Sequence, residues 1–120
     1  MELSYKRFTE LRKSIIDIQD KIIMETNNFK YVKEFEMNIV PLLKEHSFLH
    51  EEFNDYVLHG GGIKRIAIEF QDYYGRVERD FIKPCFTDYA FTLIRSNPDE
   101  KLSDEAIEVF KTHLNIQYKD

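Results

Sequence analysis

The chain contains no tryptophan, a single cysteine, three prolines and four glycines, and no apolar run long enough to suggest a membrane span. One cysteine excludes an internal disulfide, and the position of Cys85 between Pro84 and Phe86 predicts a small buried hydrophobe in a reducing compartment. Crossing a bilayer takes about 20 consecutive apolar residues. The opening from Met1 to Arg12 mixes charge with apolar residues throughout, so neither a spanning helix nor a signal peptide is predicted. Basic charge is scarce as well, with 17 Lys and Arg against 22 Asp and Glu for a net charge of -5. That balance predicts no general affinity for nucleic acid or for an anionic membrane, since both need a basic surface that releases counterions. Together these absences predict a cytoplasmic protein.

What remains is the composition of an ordinary globular chain: 42% apolar and 32% charged residues, with ten Phe and seven Tyr. A length of 120 residues suits one domain spanning 1–120. The apolar residues recur at helical spacing almost everywhere. Phe8, Leu11, Ile15, Ile18 and Ile22 predict a helix from Ser4 to Thr26, with Ser4 as its cap and Leu3 and Phe8 as its staple. Val32, Phe35, Ile39, Leu42 and Leu43 continue the spacing through Pro41, which predicts a kink or restart near Val40. Ser47 reads as the cap of a shorter helix carrying Leu49, Phe53, Tyr56 and Val57, and Gly60, Gly61 and Gly62 end it.

Beyond the glycines, Ile66, Phe70, Tyr73, Val77 and Phe81 predict another buried stripe, with charged pairs such as Arg65 and Glu69 on the solvated face. Residues 86–94 are apolar nearly all round and read as a central helix. Ser103 caps a last helix that ends near Leu114. The expected fold is therefore all-α, a compact antiparallel bundle of five or six helices, some kinked at proline.

Few residues point to chemistry. His46 and His50 stand four apart with Glu51 beside them, and on an unbroken helix the two imidazoles could share a metal with a carboxylate from elsewhere. The Ser47 cap places His46 off the helix, so the expectation is exposed polar residues at a helix start. Gly61, Gly62, Lys64 and Arg65 combine free backbone donors with positive charge and form an anion-binding candidate, although no Gly-Lys-Ser or Gly-Lys-Thr phosphate loop is present. Tyr5, Tyr31, Ile68 and Tyr74 fall off the apolar stripes and are candidates for contact with a partner.

No nucleophile with a base and orienting group stands out, so the chain reads as a non-enzyme without cofactors. The expected function is a non-catalytic protein-binding module: a small acidic helical inhibitor, an immunity or antitoxin type of protein, or a small subunit of a larger assembly. Its partner would be another protein, with a homodimer as one form of that. One alternative is a metal-binding protein or small enzyme centred on His46 and His50. A second is nucleic-acid binding through Lys6, Arg7, Arg12 and Lys13, a face interrupted by Glu10, Asp17 and Asp20.

Overall fold

The computed structural model describes residues 3–28, 32–84 and 102–116. Every element among them is helical: α1 (Tyr5–Asn28), α2 (Val32–His59), a 3-10 turn (Gly61–Ile63), α3 (Lys64–Val77), a π-helical continuation (Glu78–Ile82) and α4 (Asp104–Leu114). The helix predicted over 86–94, Cys85 and Tyr31 lie outside the described residues.

Helix α1 starts as its sequence predicts, the Arg7 amide donating to Ser4 Oγ at 3.1 Å. Its whole stripe, Phe8, Leu11, Ile15, Ile18 and Ile22, is buried. Helix α2 departs from expectation, running unbroken for 28 residues through Pro41 and Ser47. Four α-helices are therefore found among the described residues, where five or six were expected. The physical reason is packing. Proline inside a helix costs about 3 kcal/mol, but Pro41 faces solvent. On the opposite face Phe35, Ile39 and Leu43 are fully buried, and each such side chain returns about 1.5–3 kcal/mol.

Gly60 closes α2, its amide donating to Tyr56 O at 3.0 Å. A Cβ there would stand 2.2 Å from that same oxygen, and Gly61 takes a positive φ of 57°, so both positions require glycine. Helix α4 is capped as predicted, the Ala106 amide donating to Ser103 Oγ at 3.2 Å, with Asp104 and Glu105 in its first turn.

Two apolar clusters form the core. One joins Phe8, Leu11 and Ile15 of α1 to Phe53, Tyr56 and Val57 of α2 and to Ala67 and Tyr74 of α3. The other joins Ile18 and Ile22 to Phe35, Ile39 and Leu43 and to Ile82, with Val109 and Phe110 of α4 packed against it. This pairing of early with late residues makes α1 and α2 antiparallel, and α2 and α3 likewise.

Helix α3 keeps only part of the predicted stripe, Phe70 and Val77 being half-buried against the two clusters. Its buried residues are Ala67, Gln71, Tyr74 and Gly75, followed by Glu78 and Ile82 of the π segment. Ile66, Tyr73 and Phe81, expected inside, are 41%, 51% and 62% exposed. The helix is rotated by one residue from the orientation its apolar pattern favours. Tyr74 explains the choice: its ring meets Phe53 edge-on at 5.5 Å and its carbonyl accepts from the buried Gln19 Nε2 at 2.9 Å. Ala67 allows the close approach.

Candidate functional site

Between the two apolar clusters lies a layer of polar side chains. Each helix contributes at the same height: Gln19 from α1, His46 and His50 from α2, Gln71 and Tyr74 from α3, Glu78 from the first turn of the π segment, and His113 from α4. Gln19, His46, Gln71, Glu78 and His113 are all buried, His46 and Glu78 to 0% exposure. Polar cores of this kind are where helical bundles build cofactor and metal sites, and π-helical turns recur at functional sites.

The unbroken helix puts His46 and His50 on one face, contrary to the expected position of His46 ahead of a helix start. Their rings lie parallel, 6.5 Å apart between centroids with 4° between planes. His46 also stands edge-on to His113 at 5.2 Å and to Tyr74 at 6.4 Å. Nε2 of His113 meets Oε1 of Glu78 in a fully buried pair. The other Glu78 oxygen, Oε2, accepts no hydrogen bond among the described residues.

A hydrogen-bonded chain runs from this layer towards the surface. Gln71 Nε2 lies 3.4 Å from Asn54 Oδ1 and 3.2 Å from the Tyr74 hydroxyl, which in turn lies 2.7 Å from Nδ1 of the half-buried His50. The Gln71 amide donates to both oxygens, and the Tyr74 hydroxyl and His50 Nδ1 share the remaining hydrogen bond. Burial pushes the Tyr74 phenol well above its ordinary range, against the partial relief of the Gln71 hydrogen bond. Burial also drives the His46 imidazole down to about 3, with the neighbouring His113 and His50 adding to the effect. His46 is therefore neutral at physiological pH.

The ionisable centre of the layer, His46, Glu78 and His113, is buried. Among the described residues, no three His, Cys, Asp or Glu side chains are arranged to hold a metal ion. Of the three residues proposed for a metal, His46 is sealed inside, His50 is bonded to Tyr74, and Glu51 is exposed. Glu78 and His113, which complete the layer, were not singled out from sequence as partners of His46.

The other sequence candidates are dispersed. Gly61, Lys64 and Arg65 line a shallow surface depression with Ile68 and Glu69, and Gly62 is exposed beside it. Two backbone donors at this helix start are already used within the turn: the Ile63 amide donates to Gly60 O and the Lys64 amide to Gly61 O. The Glu69 carboxylate stands 3.5 Å from Arg65 Nε. Tyr5 is 60% exposed, and Ile68 is half-buried against the core. Tyr74 is fully buried, which removes it from the partner-binding set; its neighbour Tyr73 is the exposed tyrosine of the pair.

No helix among the described residues is long and apolar enough to cross a membrane. The chain matches no family model, no curated protein and no solved structure.

Proposed function

We propose that the protein is a non-catalytic binding module, a small acidic helical inhibitor or assembly subunit, whose outward side of α3 is covered by another protein. The observation that supports this reading is the orientation of α3: polar Gln71 and Glu78 turn inward to the buried layer, and Ile66, Tyr73 and Phe81 turn to water. Leaving about half of three such side chains hydrated forgoes on the order of 3 kcal/mol, a large share of the ~5–15 kcal/mol by which a domain is stable. A partner on this face recovers that loss. Tyr is also among the residue types that dominate interface energetics.

The test is a photo-crosslinking residue placed at position 73 in the native cell, with the exposed Lys111 as control. A discrete adduct at position 73 that is missing at position 111 is the expected result. Equal labelling at both positions, or none at either, contradicts the reading.

A second reading, a metal-binding bundle, draws on the meeting of His46, Glu78 and His113 in one buried layer. It requires these side chains to turn from their present arrangement towards a common point. Elemental analysis of protein purified without an affinity tag decides it: stoichiometric transition metal that disappears in His113→Ala would favour this reading over the first.

A further inference from the structure

We propose that the outward side of α3 pairs with the same side of a second copy of this chain, the two helices running antiparallel about a twofold axis near Tyr73. This rests on the binding-module reading and names its partner.

The spacing of Ile66, Phe70, Tyr73 and Val77 is four, three, four, the pattern of side chains that interlock between two paired helices. Ile66 and Tyr73 are exposed, and Phe70 and Val77 are half-buried at the margin of the core. Phe70 and Tyr73 already stack on each other, 6.0 Å between centroids, presenting a preformed aromatic step. An antiparallel copy sets the partner's Tyr73 against Phe70 and the partner's Ile66 against Val77, and the twofold axis repeats both contacts.

Charge supplies the choice of partner. Glu69 and Arg76 lie seven residues apart on the same edge of this stripe. Antiparallel pairing brings Glu69 to the partner's Arg76 and Arg76 to the partner's Glu69, so one pattern provides two complementary pairs. Among the described residues these two are engaged within their own helix, Glu69 with Arg65 at 3.5 Å and Arg76 with Asp72 at 2.9 Å. The Arg65–Glu69 side chains are 91% and 67% exposed, so re-pairing costs little. On the opposite edge, the Arg12 guanidinium covers the Phe70 ring at 5.4 Å.

Among the other exposed apolar side chains, the most exposed aromatic one favours self-pairing less. Phe48 on α2 is 72% exposed but sits among Glu51, Glu52 and Asp55, so two copies meeting there would oppose carboxylates. The stretch from Ile66 to Val77 spans about 17 Å. So short a seam makes weak association, in the micromolar range, the expectation.

Sedimentation velocity on the full chain, from about 1 to about 200 µM, tests the pairing. The expected result is concentration-dependent growth from 14.5 kDa to twice that mass. Tyr73→Glu, at a half-exposed position, should fold normally by circular dichroism and weaken association at least about tenfold. Arg76→Glu should also weaken it, and Glu69→Arg combined with Arg76→Glu should restore it to within about threefold of wild type. Wild type that stays monomeric throughout overturns the proposal, as does a dimer indifferent to Tyr73→Glu or a double variant no better than Arg76→Glu alone. A monomer whose position 73 still crosslinks to a different protein would sink the second copy and leave the binding module standing. Absence of any adduct would remove both.

Discussion

Acidification should unlock this protein from its middle, through His46. Its imidazole is held neutral in the fold, titrating at about 3 where an ordinary histidine titrates at 6.5. Loss of hydration is the main cause, and the neighbouring His113 and His50 add to it; the edge of the Tyr74 ring packs beside it. A histidine whose folded value lies below its unfolded one contributes stability that is complete above about pH 6.5 and is lost as pH falls towards 3. Each pH unit crossed in that window costs about 1.4 kcal/mol, so about 3 kcal/mol should be gone by pH 4. Urea titrations at pH 7, 5.5 and 4, read by circular dichroism, measure the loss. The comparison is with His46→Leu, which keeps the shape roughly filled and removes the proton site. Other groups also titrate in this range, and the difference between the two proteins cancels most of their contribution. A fall in stability that is equally steep in wild type and in His46→Leu would refute the reasoning; His46→Gln repeats the comparison if the leucine variant folds poorly.

Four further outcomes follow from the geometry. Gly60→Ala should destabilise by more than about 1 kcal/mol, because its Cβ would press on Tyr56 O. Gly62→Ala, facing open space, should change thermal stability by less than about 0.5 kcal/mol. Ser103→Ala should cost about 1 kcal/mol and speed amide exchange in the first turn of α4. Phe53→Ala should cost about 3–5 kcal/mol in chemical denaturation, whereas Phe48→Ala at the surface should stay within about 0.5 kcal/mol.

The helical class and most of the core were legible from spacing alone. The α1 stripe is buried as predicted, and the Ser4 and Ser103 caps hold their helices as predicted. Pro41 and Ser47 misled because local rules weigh a lost donor and a good cap, but not the apolar face packed behind both. The π segment left no trace in spacing. The polar layer did leave a signal, easily passed over: His46 and His50 continue the register Phe35, Ile39, Leu43 directly into Phe53 and Val57. Gln71, Tyr74 and Glu78 likewise sit in step with Ala67 and Ile82, and His113 in step with Ala106 and Phe110. Polar residues that keep apolar time mark a buried layer. For α3 two stripes competed, one residue apart, and the more apolar lost. The tertiary partners that decided it, Gln19 and Phe53, are distant in sequence and invisible to local periodicity.

Tyr73 and Tyr74 are adjacent in the chain yet 51% and 0% exposed, so they report which way α3 faces. Hydroxyl-radical footprinting of dilute protein, resolved to single residues by mass spectrometry, compares them within one molecule. Oxidation concentrated on Tyr73 with Tyr74 protected is the expected pattern. Protection of Tyr73 with labelling of Tyr74 would mean that the apolar stripe faces inward after all, and the outward binding face would not exist.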